Sequence, residues 1–197
     1  MMAPGGTPVP LRFDLSALVR ASVASLYSNL VTRPTGQAIR LGIEAQIHDL
    51  GGPCLSVLDF SEVVVLDFSC ADEAVAKLIR RYQREPAGHA VYFMARGLCA
   101  VHREAVEAVL LRHGLALSAE FDGCGSSLLG EATQLERDAW AALDDLGSAS
   151  SADLLGRLAT SPADLAGALR GLHGKRLILA EPDCDCYHAL SSLACED

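Results

Sequence analysis

The residues best suited to chemistry stand in two copies of the tetrapeptide Leu-Asp-Phe-Ser, at positions 58–61 and 66–69. Asp59 and Asp67 could act as a general acid and a general base, because paired carboxyl groups can exchange a proton with a substrate. Each aspartate, however, follows an apolar run, where an aspartate usually accepts hydrogen bonds from the next turn. No Ser/His/Asp order, His-Glu-x-x-His, phosphate loop or dinucleotide fingerprint accompanies them. We therefore expect the pair to be structural and the protein not to be an enzyme.

A second candidate is the segment Arg-Pro-Thr-Gly-Gln-Ala-Ile-Arg at positions 33–40. The free N–H groups of a helix start and two arginines could together bind a small anion or a nucleotide. A single Thr-Gly step is not a phosphate loop, so pairing of the arginines with carboxylates such as Asp59 or Asp67 is the favoured alternative. The residues of the candidate anion site are Arg33, Thr35, Gly36 and Arg40.

A third candidate lies near the end of the sequence, where thiols and an imidazole are closely spaced: Cys184, Cys186, His188 and Cys195. Thiolates and imidazoles bind zinc, but this spacing matches no standard zinc finger. Asp183 and Asp185, beside the thiols, are typical of a solvated turn. The sequence therefore predicts no metal and no cofactor, while metal binding by this cluster and redox chemistry at its thiols stay open.

Composition limits the classes of function. The chain has 197 residues, of which 50% are hydrophobic and 21% charged, so it can bury a core in one large or two small domains. A net charge of −9 disfavours nonspecific binding to nucleic acids. No apolar run is long enough to span a membrane, and the first residues lack the features of a signal peptide. Seven cysteines, an odd number, predict reduced thiols in a cytoplasmic protein.

Hydrophobic periodicity predicts the elements that would position these residues. Residues 14–30 carry one apolar stripe and predict a helix, with an edge strand over residues 12–19 as the alternative. A second helix is predicted over residues 35–50, ended by two glycines. Residues 53–60 and 63–68 are nearly continuously apolar and predict neighbouring strands buried on both faces.

The next segments alternate between helix and strand. Ser69 is predicted to cap a helix whose buried face includes Val75, Leu78, Ile79 and Tyr82. A strand over residues 89–95, a helix over residues 98–114 and a strand over residues 115–120 follow. The inner face of that later helix is predicted to contain Val101, Ala105, Ala108 and Val109. This order predicts an α/β fold with a mainly parallel sheet flanked by helices.

The rest of the sequence divides the chain into parts. We predict a flexible leader at residues 1–12, the α/β domain at 13–121 and a linker rich in glycine and serine at 122–132. Beyond the linker, three short helices and a β-hairpin predict a winged-helix-like α+β domain at residues 133–197.

A winged helix invites comparison with DNA-binding proteins, but the charge of this segment is unfavourable. Residues 131–197 contain five basic and twelve acidic side chains, and the predicted recognition helix at 161–174 offers few groups for base edges. Docking to protein is therefore the favoured role. The residues that would contact DNA in the alternative are Arg170, Lys175 and Arg176.

The segment Val-Leu-Asp-Phe-Ser-Glu-Val-Val-Val-Leu-Asp-Phe-Ser-Cys-Ala-Asp-Glu, from residue 57, resembles the centre of STAS domains, the family of sulphate transporters and anti-sigma-factor antagonists. Residues 67–70 stand where the antagonists have Asp-Ser-Ser-Gly. Residues 30–40 and the helix start Ala71-Asp72-Glu73 are still more similar to bacterial STAS-like domains of unknown function. The resemblance covers residues 13–120 and implies the α/β fold.

The resemblance also implies a function. In the antagonists, a partner kinase phosphorylates a serine of this loop, and the phosphate blocks partner binding. Only Ser69 remains here, and the surrounding acidic residues oppose a phosphate, so we expect a helix cap. The resemblance implies a regulatory or scaffolding protein that works through protein–protein contacts. Its partner-binding or switch candidates are Phe68, Ser69, Asp72 and Glu73.

Three points stay open. An exposed Phe68 would be an apolar anchor for a partner, whereas a buried Phe68, the slightly favoured alternative, would be part of the core. The chain could form a homo-oligomer through open sheet edges. Two other functions remain: a transcription regulator that senses through the STAS-like domain and binds DNA through the winged helix, and a switch controlled by a nucleotide or by phosphorylation.

Overall fold

The computed structural model describes residues 9–14, 29–85, 89–121, 125–181 and 184–194. Its strands are β1 (Val9–Asp14), β2 (Asn29–Leu30), β3 (Cys54–Asp59), β4 (Val65–Leu66), β5 (Val91–Leu98), β6 (Ala116–Phe121), β7 (Gly125–Gly130), β8 (Ser148–Ala149), β9 (Ile178–Ala180) and β10 (Tyr187–Ala189). Its helices are α1 (Arg33–Leu50), α2 (Phe68–Ala71), α3 (Leu78–Tyr82), α4 (Ala100–His113), α5 (Gln134–Leu146), α6 (Ser151–Arg157), α7 (Pro162–Gly174) and α8 (Leu190–Ala194). A π-helix, Asp72–Lys77, joins α2 to α3.

The main sheet has five strands in the order β1-β3-β5-β6-β7. The first four run parallel and β7 runs antiparallel to β6, so the prediction of a mainly parallel α/β sheet is confirmed. Strand β1 includes residues 9–12, which the sequence analysis assigned to the leader. Strand β7 comes from the segment predicted to be a linker. The ordered sheet therefore extends beyond both predicted ends of the α/β domain.

The prediction of a buried strand over residues 63–68 is wrong. Only Val65–Leu66 form a strand, β4, which pairs in parallel with β2 in a separate two-stranded sheet. Val64 and Val65 are exposed, so the continuous apolar run does not mark burial on two faces. The predicted helix at 14–30 lies mostly outside the described residues, and its last two positions belong to β2.

Local sequence signals account for α1. Pro34 occupies its first turn, and the side chain of Thr32 accepts a hydrogen bond from the N–H of Thr35. Gly51 ends the helix in the left-handed conformation, as the two glycines predicted. The buried residues Ile39, Ile43 and Ile47 repeat every four positions and direct one face of α1 to the core.

The helices α1 to α4 cover one face of the main sheet. Alternate residues of β3 and β5, such as Leu58 and Phe93, join the helices in one apolar cluster. The intervening residues point to the opposite face, because successive side chains of a strand alternate. Both faces of these central strands are buried, as their apolar composition predicted.

The C-terminal elements cover the second face of the sheet. Tyr92 and Met94 of β5 pack with Leu190 of α8, and Ala116 of β6 belongs to one cluster with Trp140 of α5. Arg176 adds polar contacts, since its guanidinium donates to the backbone carbonyls of Val91, at 3.3 Å, and of Glu85. The two parts that the sequence analysis separated thus share buried apolar surface.

The C-terminal part contains the predicted short helices and hairpin. Its elements follow the order α5, β8, α6, α7, β9, β10, and its three strands form an antiparallel sheet in the order β8-β10-β9. Ser150 caps α6 and Ser161 caps α7, each accepting a hydrogen bond from a backbone N–H three residues on. Both helices therefore begin at a serine cap.

We expect a chain truncated after Glu131 not to fold independently. Truncation uncovers Leu55, Val57, Tyr92 and Met94, and exposing four such side chains costs about 6–12 kcal/mol. That cost is comparable to the whole stability of a domain, about 5–15 kcal/mol. Thermal unfolding by near-UV circular dichroism and binding of a hydrophobic dye test this. This expectation would be contradicted if the truncated chain unfolded in one sharp transition that matches part of the full chain's transition.

Candidate functional site

The candidate site is the edge of the main sheet at which its parallel strands end. β3 and β5 both finish there, at Asp59 and Leu98. The N–H of Asp67, just before α2, donates to the carbonyl of Leu30, just before α1, at 2.9 Å. Helix α4 begins one residue after Cys99 and contacts both β4 and α2. The first turns of α1, α2 and α4 therefore meet at this carboxyl edge.

In both Leu-Asp-Phe-Ser copies, the aspartate accepts hydrogen bonds from the turn that follows its strand, as expected from the sequence. Oδ1 of Asp59 accepts from the backbone N–H of Ser61 at 3.0 Å and from its hydroxyl at 2.6 Å. Oδ1 of Asp67 accepts from the N–H of Cys70 at 2.8 Å and from the hydroxyl of Ser69 at 2.9 Å. The cap of α2 is therefore Asp67, and the prediction that Ser69 is the cap is wrong. Asp67 takes the capping role because it stands one residue before the helix, whereas Ser69 lies within the helix.

The two phenylalanines of these copies have opposite environments. Phe60 is fully buried and contacts the ring of His102 at a centroid distance of 6.2 Å. Phe68 is 53% exposed, at the first position of α2. The sequence slightly favoured a buried Phe68, and the structure places it in the other of the two predicted environments. Phe68 thus meets the stated condition for an apolar anchor.

Exposed valines accompany Phe68 at the carboxyl edge. Val64 and Val65 precede it along the chain, and Val101 lies in the first turn of α4 with 67% of its surface exposed. The prediction that Val101 faces inward is wrong, because the buried face of α4 begins at His102, and Val101 lies beside that face. We call this surface the carboxyl-edge patch, and its residues are Val31, Val64, Val65, Phe68 and Val101.

Asp72 and Glu73, predicted as partner contacts, are buried instead. They begin the π-helix, and only 6% and 4% of their surfaces are exposed. Arg33 donates to Asp72 at 3.2 Å and to Glu73 at 2.9 Å, and Lys77 pairs with both. His113 of α4 lies 2.6 Å from Asp72. The two carboxylates therefore tie α1, the π-helix and α4 together.

The basic partners keep both buried carboxylates ionised. Burial raises the pKa of Asp72, but hydrogen bonds from His113 and Arg33 outweigh burial and leave the pKa below its ordinary value. Burial acts in the same way on Glu73, and hydrogen bonds from Lys77 and Arg33 lower its pKa overall. Partnered charges of this kind fix the arrangement of helices, since each charge is costly to bury alone.

The candidate anion site is occupied by the protein's own groups. Arg40 pairs with Glu44 at 2.8 Å and approaches Glu73 at 3.5 Å, so both arginines contact carboxylates, as the favoured alternative predicted. Their partners differ from those expected, Asp59 and Asp67. The hydroxyls of Thr32 and Thr35 lie 2.7 Å apart and bond each other.

Gly36 marks a close contact between α1 and the following helix. A Cβ at this position would lie 2.7 Å from the carbonyl oxygen of Cys70 and 2.9 Å from the Cβ of Glu73. Those distances are below van der Waals contact, so only a glycine fits without a shift of the backbone. The glycine therefore serves helix packing.

Two of the three predicted DNA contacts are held by other groups. Lys175 bonds both carboxylate oxygens of Glu136, at 2.9 and 2.8 Å. Arg176 contacts backbone carbonyls of the main α/β part, as described above. Arg170 is exposed on α7 and donates to the carbonyl of Ala166 at 3.1 Å.

The C-terminal thiols and imidazole come together in the hairpin between β9 and β10. Cys184, Cys186 and His188 form one cluster, while Cys195 lies outside the described residues. Glu181 belongs to the same cluster and was missed by the sequence analysis. The register between β9 and β10 brings Glu181 into the cluster, because Glu181 directly follows β9 and Cys186 directly precedes β10.

Comparisons with models of protein families, with curated proteins and with solved structures each found no match. Among the described residues, no helix is long and apolar enough to cross a membrane.

We expect Gly36→Ala to destabilise the protein by about 1–3 kcal/mol, the usual cost of overpacking. The new methyl group must displace main-chain atoms, which outweighs the better helix propensity of alanine. Urea unfolding measures the change. Gly52→Ala is the matched control, because a Cβ there meets no atom within 4 Å. Equal stability of the two variants would contradict the close contact.

Asp72 should make stability depend on acid pH. The folded-state pKa values of Asp72 and Glu73 lie below the ordinary values of 3.8 and 4.5. The ionised pair therefore stabilises the fold above these values, and that contribution is lost as the pH falls through them and then through the lower folded-state values. Asp72→Asn should lower the free energy of unfolding at neutral pH and flatten its decline between about pH 5 and pH 2.

Urea unfolding across that pH range measures the effect. Asp49→Asn, on the exposed side of α1, is the control and should retain the wild-type slope. Identical slopes for Asp72→Asn and the wild-type protein would show that the buried network does not govern acid stability.

Proposed function

We propose that this protein is a non-enzymatic regulatory or scaffolding module that binds a partner protein through the carboxyl-edge patch. The observation that carries the proposal is Phe68, a large aromatic side chain that is 53% exposed beside exposed valines. Aromatic side chains in such patches are common binding hot spots, because one of them buries much apolar area on binding. This location is also the one at which the resembled antagonists hold their switch loop.

The support beneath Phe68 favours binding with little rearrangement. Asp67 caps the turn that presents Phe68, and Cys70 and Ala71, two and three residues on, are buried. The buried carboxylates that follow connect this helix to α1 and α4. A preorganised anchor loses little conformational freedom when it binds, which improves affinity.

The net charge of the chain favours a partner with basic residues. Beside the patch itself, charges of both signs are exposed: Glu62 and Glu104, and Arg33 and Arg103. A second copy of this chain would bring the same net charge of −9, which opposes self-association. We therefore assign the patch to a different protein whose apolar contact surface is flanked by lysine or arginine.

We extend the proposal to the two halves of the fold. The STAS-like assignment of the first half is supported by the residues quoted above and by the mainly parallel sheet. A winged-helix-like second half is supported by the order helix, strand, two helices and two strands. The cysteines that the structure describes are free thiols, which supports a reducing, cytoplasmic location.

The competing functions have weaker support. The transcription regulator would need cations on its winged helix, and Lys175 and Arg176 already bond protein groups. A phosphorylation switch would use Ser69, whose hydroxyl bonds the carboxylate of Asp67 at 2.9 Å, and this negative charge opposes a phosphate.

The proposal predicts that a photo-crosslinking amino acid at position 68 captures a partner inside cells that express the protein. The same amino acid at position 111 is the control, because Leu111 is equally exposed, at 53%, outside the patch. With the partner purified, Phe68→Ala should weaken binding at least about tenfold, as expected for a hot spot, and Leu111→Ala should leave it unchanged. Both variants should keep the wild-type melting temperature.

Three results would contradict the proposal. Position 68 could capture the same proteins as position 111, or Phe68→Ala could leave the affinity for the captured partner unchanged. Light scattering could show a dimer that Phe68→Ala dissociates, which would make a second copy the occupant. Tight binding to promoter DNA with a steep salt dependence would favour the transcription regulator instead.

A further inference from the structure

The hairpin between β9 and β10 brings four potential metal ligands to one place, on a part of the fold distinct from the carboxyl-edge patch. Three of them, Glu181, Cys184 and Cys186, form one group, and His188 lies beside Glu181 and Cys186. All four residues are exposed or half-buried, so an ion could reach them from solvent. None of them contributes to the function proposed above.

The ligand atoms already lie close to one another. Nε2 of His188 is 2.7 Å from Oε1 of Glu181 and 3.6 Å from Sγ of Cys186. Sγ of Cys184 is 2.8 Å from Oε2 of Glu181. The ligand atoms of Glu181, Cys184 and Cys186 all lie within 4.8 Å of one another. Atoms that bind one ion at about 2.0–2.3 Å in a tetrahedron lie about 3.3–3.8 Å apart, so small shifts of these side chains would give the required spacing.

Strand register explains this convergence. Tyr187 pairs with Ala180, and the N–H of Glu181 donates to the carbonyl of Cys186 at 3.0 Å, so Glu181 and Cys186 face each other across the hairpin. His188 is two residues after Cys186 and shares its face of the strand, because side chains alternate. Cys184 joins them through its thiol, which donates to the carboxylate of Glu181.

Asp185 fixes the turn without joining the cluster. Its carboxylate accepts from the N–H of Ser151 at 3.0 Å and from the hydroxyl of the same residue. This contact attaches the hairpin to the first turn of α6. The two cysteines on either side of Asp185 are thereby held at fixed positions.

We propose that Glu181, Cys184, Cys186 and His188 form a zinc site with two sulfur, one nitrogen and one oxygen ligand. Two thiolates with one imidazole select zinc over magnesium or calcium, which prefer sites made of oxygen alone. The four ligands complete the tetrahedral shell of a structural site. The bound ion would join the end of β9 to β10 and so rigidify the hairpin.

Proton release accompanies binding. Cysteine binds zinc as a thiolate, so each of the two thiols gives up its proton when the ion binds. Zinc displaces the protons of both thiols to solvent and binds the resulting thiolates, the neutral imidazole and the ionised carboxylate. The oxidation state of every atom stays the same. Affinity must therefore rise with pH.

Cobalt is a suitable probe, because thiolate ligands give Co²⁺ an intense near-ultraviolet charge-transfer band and tetrahedral geometry gives strong visible bands. The full chain, reduced and stripped with a chelator, should bind one Co²⁺ with both spectral features. One equivalent of Zn²⁺ should remove them and raise the melting temperature. Cys184→Ser, at an exposed turn position, should weaken Zn²⁺ binding by more than the roughly 10- to 100-fold that loss of a supporting residue costs.

Two further variants complete the test. His188→Asn should remove the visible tetrahedral bands, and Cys99→Ser, at a half-buried thiol before α4, should bind like the wild type. The proposal is overturned if Co²⁺ gives no thiolate band, or if the band survives in Cys184→Ser. It is also overturned if mass spectrometry finds Cys184 and Cys186 joined as a disulfide that persists under mild reduction.

Discussion

The central sheet must be covered on both faces, and this constraint organises the molecule. Leu58 and Phe93 point to the helices α1 to α4, while their neighbours Val57 and Tyr92 point to the C-terminal elements. Neither layer can be removed without exposing a row of apolar side chains to water. The C-terminal part is consequently a structural layer of the α/β fold.

The helix layer depends on charges as well as on apolar contacts. Asp72 and Glu73 occupy its centre, and their basic partners come from α1, α4 and the π-helix itself. Apolar packing alone tolerates sliding between helices, whereas paired buried charges define one register. Gly36 permits the close approach that brings Arg33 within reach. This arrangement explains why residues suited to binding an anion or a partner serve the interior instead.

Signals that act over a few residues made much of the fold predictable. Proline and glycine set the ends of α1, serines set the caps of α6 and α7, and apolar runs set β3 and β5. Pairing between distant segments was not predictable. The run at 63–66 has the composition of a core strand, yet within the described part of the chain it pairs with β2, outside the main sheet. Strand β7 was hidden by its glycines and serines, since an edge strand needs few apolar residues.

Among the candidate site residues, too, local contacts were predictable from the sequence and contacts between distant segments were not. Asp59 and Asp67 were recognised as turn and helix caps because a cap acts on its own neighbours. The exposure of Phe68 depended on packing that no local pattern encodes. Glu181 escaped notice because its relation to Cys186 exists only through the hairpin. Functional residues that meet across two strands can be recognised only when the pairing register of those strands is known.

The π-helix also sets the direction in which Phe68 points. A regular α-helix turns by about 100° per residue, and a π-helical turn holds one residue more than an α-helical turn. The segment Asp72–Lys77 therefore shifts the angular phase between the start of the helix and its end at α3. Leu78 and Ile79 are buried in the core. The direction in which Phe68 points therefore depends on the rotation that this wider turn introduces between Phe68 and these two residues. A return to regular α-helical geometry would rotate Phe68 about the helix axis, leaving its neighbours on the edge in place. The aromatic ring is thus aimed by a feature of the main chain that lies several residues beyond it.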